Sequence, residues 1–336
     1  MKLRVNLRTL RVFAIVLAVL LIFAAGLFLM NRWENQPVAE ENLPDDTAEM
    51  QDAPEKDLVL FGGSWVAPKD HLETVLLLGL DKFEETAHGS YNNNQQSDFL
   101  LLLVLDRSAE TCTAIHLNRD TMTQVRVIGA QGESAGYVEE QLALAHTYGS
   151  GGTDSCKNVA EAVSNLLYGV PIDHYISVTM DGVALLNDLA GGVTVTVLDD
   201  FSQVDAALVQ GETVKLMGEQ ALTYVRARSG LDDSSNLRRM ERQRQYLRAL
   251  SEQLTARVEG DAEFLLEALL AASEYLVSDC TVEKLSALSE ELSEWGISEY
   301  LTLPGEAVRA EEFMEFYVDE QALQELVVDV FYETAE

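Results

Sequence analysis

The chain has 336 residues, about two ordinary domains' worth, and its 47% hydrophobic content against 24% charged residues provides a packed core and excludes full-length disorder. With 23 Lys and Arg against 56 Asp and Glu the formal charge is −33, which excludes nucleic-acid binding by general phosphate neutralisation. The three cysteines, Cys112, Cys156 and Cys280, are too few for a disulfide scaffold and lack the close paired spacing of a zinc site.

Residues 1–11 carry Lys2, Arg4, Arg8 and Arg11 and no acidic residue. Residues 12–30 (VFAIVLAVLLIFAAGLFLM) are 19 positions without a charge. As a helix they would span about 28 Å, close to a bilayer's hydrocarbon core. The sequence therefore predicts a transmembrane helix over 12–31, with the basic segment cytoplasmic and the rest outside. A cleavable signal peptide is the competing reading, but the apolar run is long and no A-x-A site follows directly. Either way the remainder is exported. Residues 1–33 hold 5 of the 23 basic residues and none of the 56 acidic ones, so the exported part carries 18 − 56 = −38.

A linker is predicted over 34–70. Its first part, 34–57, has nine acidic residues, one Lys and three of the six prolines, the composition of a solvated, self-repelling spacer. From 71 to 336 the pattern predicts one α/β domain. The runs 74–79 (TVLLLG) and 99–105 (FLLLLVL) read as strands buried on both faces. Strands are also predicted at 111–117, 124–128, 175–178, 193–197 and 300–303. Helices are predicted from Thr153 or Asp154 to 167 and at 182–189, 218–224, 237–254, 264–276, 282–292 and 320–331. The alternation argues for a three-layer α/β/α domain around a central mixed sheet.

Three constellations stand out. Asp81 follows the first buried strand, Asp98 precedes the second and Asp120 follows the third. If the first two strands are neighbours, Asp81 and Asp98 share an edge and could hold a hard divalent cation such as Mg²⁺; on spacing alone, turn-forming and capping roles explain them better. Arg226, Arg228, Arg238, Arg239, Arg242, Arg244 and Arg248 fall within 23 residues. Guanidinium forks match phosphate oxygens two at a time, so this cluster reads as an anion site. Arg226 and Arg228 share a face only if the chain leaves helical geometry there. Arg119-Asp120-Thr121, after a buried strand, places an Arg beside a carboxylate.

The ordered set Val75 to Asp81 (VLLLGLD), Ser97-Asp98, Asn118-Arg119-Asp120-Thr121, Tyr148-Gly149, Gly191-Gly192-Val193, Gly218 to Leu222 (GEQAL), Tyr224 to Arg228 (YVRAR) and Arg239 to Gln243 (RMERQ) resembles the LytR–CpsA–Psr family of cell-envelope proteins, closely over about 72–250. The resemblance implies a membrane-anchored phosphotransferase with a hydrophobic pocket for a polyprenyl chain. It would move an anionic glycopolymer, of wall teichoic acid or capsular type, from a polyprenyl-pyrophosphate carrier to a peptidoglycan acceptor with Mg²⁺. By the motif match Asp81 and Asp98 would ligate the metal, and Arg119, Arg226, Arg228, Arg239 and Gln243 would hold the pyrophosphate. Arg238 and Arg242 join that set as further basic groups of the same helix. Asp120 would partner the metal or orient Arg119, completing an expected catalytic group of Asp81, Asp98, Arg119 and Asp120. The chain departs from the family where Gln96 replaces an Arg, where Gln141-Leu142-Ala143 replaces Lys-x-Asn with His146 nearby, and where Asn236 and Arg238 precede the Arg-x-x-Arg-Gln helix; Arg238 is a candidate replacement for the missing basic group. Two other functions use the same residues: a non-catalytic polyprenyl-phosphate or polymer scaffold, and a polyprenyl-pyrophosphate phosphatase. A Cys112–Cys156 disulfide is allowed in an oxidising compartment, and the polar loop 82–97 is expected beside the metal site.

Overall fold

The computed structural model describes residues 58–81, 93–129, 132–227, 236–260, 264, 271–310 and 313–335. The predicted membrane span and all but the end of the predicted spacer lie outside them. No helix among the described residues is long and apolar enough to cross a membrane. The strands in chain order are β1 (Val59–Phe61), β2 (Ser64–Pro68), β3 (Leu72–Leu80), β4 (Ser97–Asp106), β5 (Thr111–Leu117), β6 (Met122–Ile128), β7 (Ser134–Gln141) and β8 (His174–Thr179). There follow β9 (Val193–Thr196), β10 (Thr213–Leu216), β11 (Leu276–Ser278), β12 (Glu299–Thr302), β13 (Gly305–Arg309), β14 (Met314–Val318) and β15 (Tyr332–Thr334). The α-helices are α1 (Thr153–Leu166), α2 (Met180–Leu189), α3 (Gly218–Arg226), α4 (Asn236–Gly260), α5 (Val282–Trp295) and α6 (Glu320–Phe331).

Six strands form the central mixed sheet in the order β11-β8-β3-β4-β5-β12. The β3–β4 and β4–β5 pairs are antiparallel, whereas β3–β8 and β5–β12 are parallel. The two apolar runs are its centre, and period-2 alternation explains why they are apolar throughout. Leu76, Leu78, Leu100 and Leu102 face a core shared with α1 and α6, through Val159, Val163, Leu323 and Val327. Val75, Leu77, Leu101 and Leu103 face the other layer, where Leu288 and Leu292 of α5 pack. A third apolar cluster joins α2, β9, α3 and α4 through Leu186, Val195, Tyr224 and Tyr246, and so fixes the arginine-bearing helices against the sheet. The tight entry to β9 needs Gly192: its φ is +90°, and a Cβ there would lie 2.9 Å from the Leu216 carbonyl oxygen.

Three expectations change. Residues 59–61 and 64–68, read as spacer, are strands, and β2 pairs antiparallel with β15. The helix predicted over 264–276 gives way by its end to a short 3₁₀ turn at Ser273–Tyr275 and to β11, which pairs with β8 at the sheet edge. Cys112 and Cys156 are free thiols in the cores on opposite faces of the sheet, so the disulfide does not form.

Candidate active site

The sheet topology collects the acidic positions. Because β3 and β4 are antiparallel with Leu80 opposite Ser97, the end of one strand and the start of the next share an edge. Leu117 pairs with Leu100, so the turn after β5 delivers Arg119 to that same edge. The turn is locked: the Asn118 side-chain oxygen accepts from the Asp120 N–H at 3.0 Å, and the Thr121 hydroxyl donates to the Asn118 carbonyl at 2.7 Å. Helices α3 and α4 then bring Arg226 and Arg239 in from the side.

Asp81, Asp98, Arg119, Arg226 and Arg239, with Glu219, line one open cavity of about 420 Å³. Arg119 donates to Asp98, and its second terminal nitrogen donates to the Gln96 side-chain oxygen at 2.6 Å. Arg226 pairs with Asp81 and also reaches Asp98, its Nε 3.9 Å from the carboxylate. Arg239 lies 3.7 Å from Asp98. Burial alone would push the Asp98 carboxyl up. Arg119, Arg239 and Arg226 outweigh that and hold it below the usual carboxylate range, so it stays ionised. Asp81 and Asp98 both face one guanidinium, that of Arg226, and both line the cavity. Two carboxylates on a water-accessible cavity are the donor set that a hard ion such as Mg²⁺ takes, with water completing its shell. Three guanidiniums meet two carboxylates here, a concentration of positive charge within an acidic chain.

The structure sorts the remaining predicted residues. Asp120 is buried away from the cavity, with a carboxylate oxygen 3.3 Å from Arg119 Nε, which makes it an orienter of Arg119. Gln243 is also buried; its side-chain amide faces the Asp98 and Val225 carbonyls at 3.4 and 3.5 Å. Arg242, expected to bind phosphate, points elsewhere. Its three nitrogens donate to the Tyr224 carbonyl (3.1 Å), Asp199 (2.5 Å) and the Ala227 carbonyl (2.7 Å), and its guanidinium covers the Phe201 ring at 4.6 Å. Arg238 likewise pairs with Asp199, at 2.7 Å, and does not line the cavity. Both are anchors of α4, because i and i+4 place them on the face that meets Asp199. Helix α3 ends at Arg226 and Ala227 is extended, so the chain does leave helical geometry before Arg228, which lies outside the described residues. Residues 82–92 of the polar loop are also outside them. Sequence reasoning missed Glu219, although it stands inside a quoted motif, and it treated Gln96 only as a lost basic group rather than a prop for Arg119.

Beneath the cavity lie two buried histidines. His146 Nδ1 donates to the Gln95 carbonyl at 3.1 Å, fixing the return of the loop. His116 stacks on Phe99 at 4.8 Å, and neither ring nitrogen has a hydrogen-bond partner. Burial pulls their pKa values down to about 4 and about 3, against about 6.5 unfolded. The native protein therefore binds fewer protons than the unfolded chain below pH 6.5, and stability falls as pH drops toward 4. Each is expected to cost about 2 kcal/mol by pH 5, read as a shift of the urea midpoint between pH 7 and pH 5. His116→Phe should flatten that slope; an unchanged slope would refute the assignment.

Against the gap between β3 and α3 sits a narrow apolar crevice lined by Gly79, Phe99, Met180, Val225, Gln243 and Tyr246, among others. Its walls alternate along the chain with those of the charged cavity: Phe99 follows Asp98, Val225 precedes Arg226, and Gln243 is one turn beyond Arg239.

Comparison with known proteins agrees with this architecture. The chain is 32% identical over 180 residues to the polyisoprenyl-teichoic acid–peptidoglycan teichoic acid transferase TagU of Halalkalibacterium halodurans, covering 54% of this chain and 52% of that protein. It thus spans about half the length of that relative. The crystal structure of gbs0355 from Streptococcus agalactiae superposes with a TM-score of 0.60 at 22% identity, covering 78% of this chain and 90% of the other. A structure of TagT bound to LI-WTA superposes with a TM-score of 0.55 at 22% identity, with the same coverages. The sequence profile of the LytR_cpsA_psr family matches residues 40–329, and the chain belongs to that family.

Proposed function

We propose that this protein transfers an anionic glycopolymer of the wall teichoic acid type from a polyprenyl-pyrophosphate carrier to peptidoglycan. The observation that carries the reading is the guanidinium- and carboxylate-lined cavity for a charged headgroup, with a small apolar crevice of about 40 Å³ whose lining residues Phe99 and Val225 are next in sequence to Asp98 and Arg226. Similarity to a polyisoprenyl-teichoic acid–peptidoglycan teichoic acid transferase supports the choice of substrate class. The uncharged run at 12–31 supports a membrane anchor, with the domain outside where such a carrier is presented.

In this reading Arg119, Arg226 and Arg239 bind the pyrophosphate oxygens in trans to the lipid tail and orient the reacting phosphorus. Phosphoryl transfer needs positioning and charge neutralisation more than covalent help, and fixed guanidiniums provide both. Asp81 and Asp98 would hold Mg²⁺, which when bound supplies further neutralisation of phosphate charge. Gln96, accepting from one terminal nitrogen of Arg119, and Asp120, charge-paired beside its Nε, keep Arg119 aimed. By the motif match Arg228 would add a fourth guanidinium.

The test is transfer of radiolabelled lipid-linked polymer to peptidoglycan by the full chain. Asp81→Ala is expected to lower the rate at least a hundredfold with little change in thermal stability, because Asp81 is part-exposed. Binding of the lipid-linked polymer by the parent protein without turnover would leave it a scaffold. Release of free phosphate without attachment would make it a phosphatase.

A further inference from the structure

We propose that His174, Asp279 and Cys280 form a binding site for a zinc-type divalent cation, at the end of the sheet opposite the charged cavity. His174 opens β8 beside Val75, whereas Asp81 lies beyond the far end of β3. Six residues of β8 separate the two ends by about 20 Å. Antiparallel pairing of β11 with β8, Ser278 against Ile176, folds Asp279 and Cys280 back over His174. The three ligand atoms lie within 4.8 Å of one another.

Hydrogen bonding around the imidazole distinguishes this group from a chance cluster. His174 Nε2 is 3.3 Å from a Glu73 carboxylate oxygen, and Glu73 is itself held by Lys284 and Arg107. A carboxylate so placed would accept the Nε2 proton and leave Nδ1 as the ligand nitrogen, the arrangement found behind metal-bound histidines. The other nitrogen, Nδ1, is buried and makes no hydrogen bond, yet stands 3.5 Å from Asp279 Oδ1. Asp279 Oδ1 accepts from the Tyr175 N–H at 3.0 Å and keeps a second lone pair toward Nδ1, so the gap suits a cation, either a metal ion or the proton of an imidazolium, and metal titration distinguishes the two. Zinc bonds of 2.0–2.3 Å give ligand-to-ligand edges of about 3.3–3.7 Å. The N–O separation already has that length, and Cys280 Sγ, 4.0 Å from Asp279 Oδ1, needs only a small rotation to join. One nitrogen, one carboxylate and one thiol select a borderline-soft ion over Mg²⁺. Water would take the fourth position. The ion would clamp the edge strand β11 and the start of α5 onto β8, closing a loop of about a hundred residues.

The metal-free full chain is to be titrated with Co²⁺ and with Zn²⁺. One equivalent should bind, Co²⁺ should develop thiolate-to-metal charge-transfer absorption, and Zn²⁺ should raise the Tm by several degrees. Cys280→Ser and His174→Ala should each weaken Zn²⁺ binding at least tenfold, whereas Asp81→Ala should leave it unchanged. A measurement on the parent protein guards against misfolded variants: Zn²⁺ should protect Cys280, the one half-buried thiol, from maleimide labelling mapped by mass spectrometry. Absence of the cobalt absorption, equal labelling with and without Zn²⁺, or a site lost only in Asp81→Ala would overturn the proposal.

Discussion

Asp98→Ala is expected to abolish transfer and to destabilise the domain by about 3–5 kcal/mol, the usual cost of removing one partner from a buried charge cluster. The buried Asp98 carboxylate is the shared counter-ion of Arg119, Arg226 and Arg239. Without it three guanidiniums face one another across the cavity, with Asp81, Glu219 and, beside Arg119, Asp120 as the acidic groups nearby. Asp98→Asn keeps the shape and removes the charge, so it separates packing from electrostatics. The Asn variant should retain most of the near-native volume but lose cation-dependent stabilisation, seen as a Tm that no longer rises with added Mg²⁺. The pH dependence has a defined sign. The folded-state pKa of Asp98 lies below its unfolded value of about 3.9, so its stabilising contribution is complete above that value. It disappears only as pH falls through the folded-state pKa, and the gap between parent and Asp98→Asn should therefore close only in strong acid. An Asn variant as stable and as active as the parent at pH 7 would remove Asp98 from the site.

Arg242→Ala is expected to cost a similar 3–5 kcal/mol without touching the anion site of whatever protein remains folded. Its guanidinium is the largest fully buried side chain among the described residues. Burial pulls its pKa down, and the Asp199 hydrogen bond restores part of the loss. Truncation strands the Asp199 carboxylate in the interior with only the half-exposed Arg238 as partner. Removing both charges together, as Arg242→Met with Asp199→Leu, should recover most of the stability, since apolar replacements of a buried pair are often neutral. Arg238→Ala, at the surface, should shift the urea midpoint by less than 1 kcal/mol. Pyrophosphate affinity measured by calorimetry should be unchanged in all three. A loss of affinity in Arg242→Ala at unchanged stability would return that residue to the phosphate-binding set.

The contrast between Arg239 and Arg242 shows where sequence reading stops. Both lie in one arginine-rich helix, three residues apart, and spacing alone gives them a common face. Which side chain meets the cavity depends on how α4 docks on Phe201 and Tyr224, residues outside the helix. The carboxylate pair was easier to see. Positions 75–78 and 99–105 are apolar throughout because both sheet faces are covered, so Asp81 and Asp98 stand out as charges at one end of these runs. The β7 strand, by contrast, is almost wholly exposed and shows no alternation to detect, and β13 is exposed throughout. Neither the His174 cluster nor the Asp199 anchor has a local signature, because each joins positions 40 to 106 residues apart. The ordered motifs supplied what spacing could not, namely that Arg119, Arg226 and Arg239 serve one site.

The small sheet of β1, β2 and β15 has a mechanical implication. The first described strands and the last are stitched side by side, with Val66 against Thr334 and Pro68 against Tyr332. Traction on the polypeptide ahead of Val59 is therefore borne first by a few rungs of ladder and not by the central sheet. Clipping the tail at 332 would cut that seam and leave β1 and β2 paired only with each other.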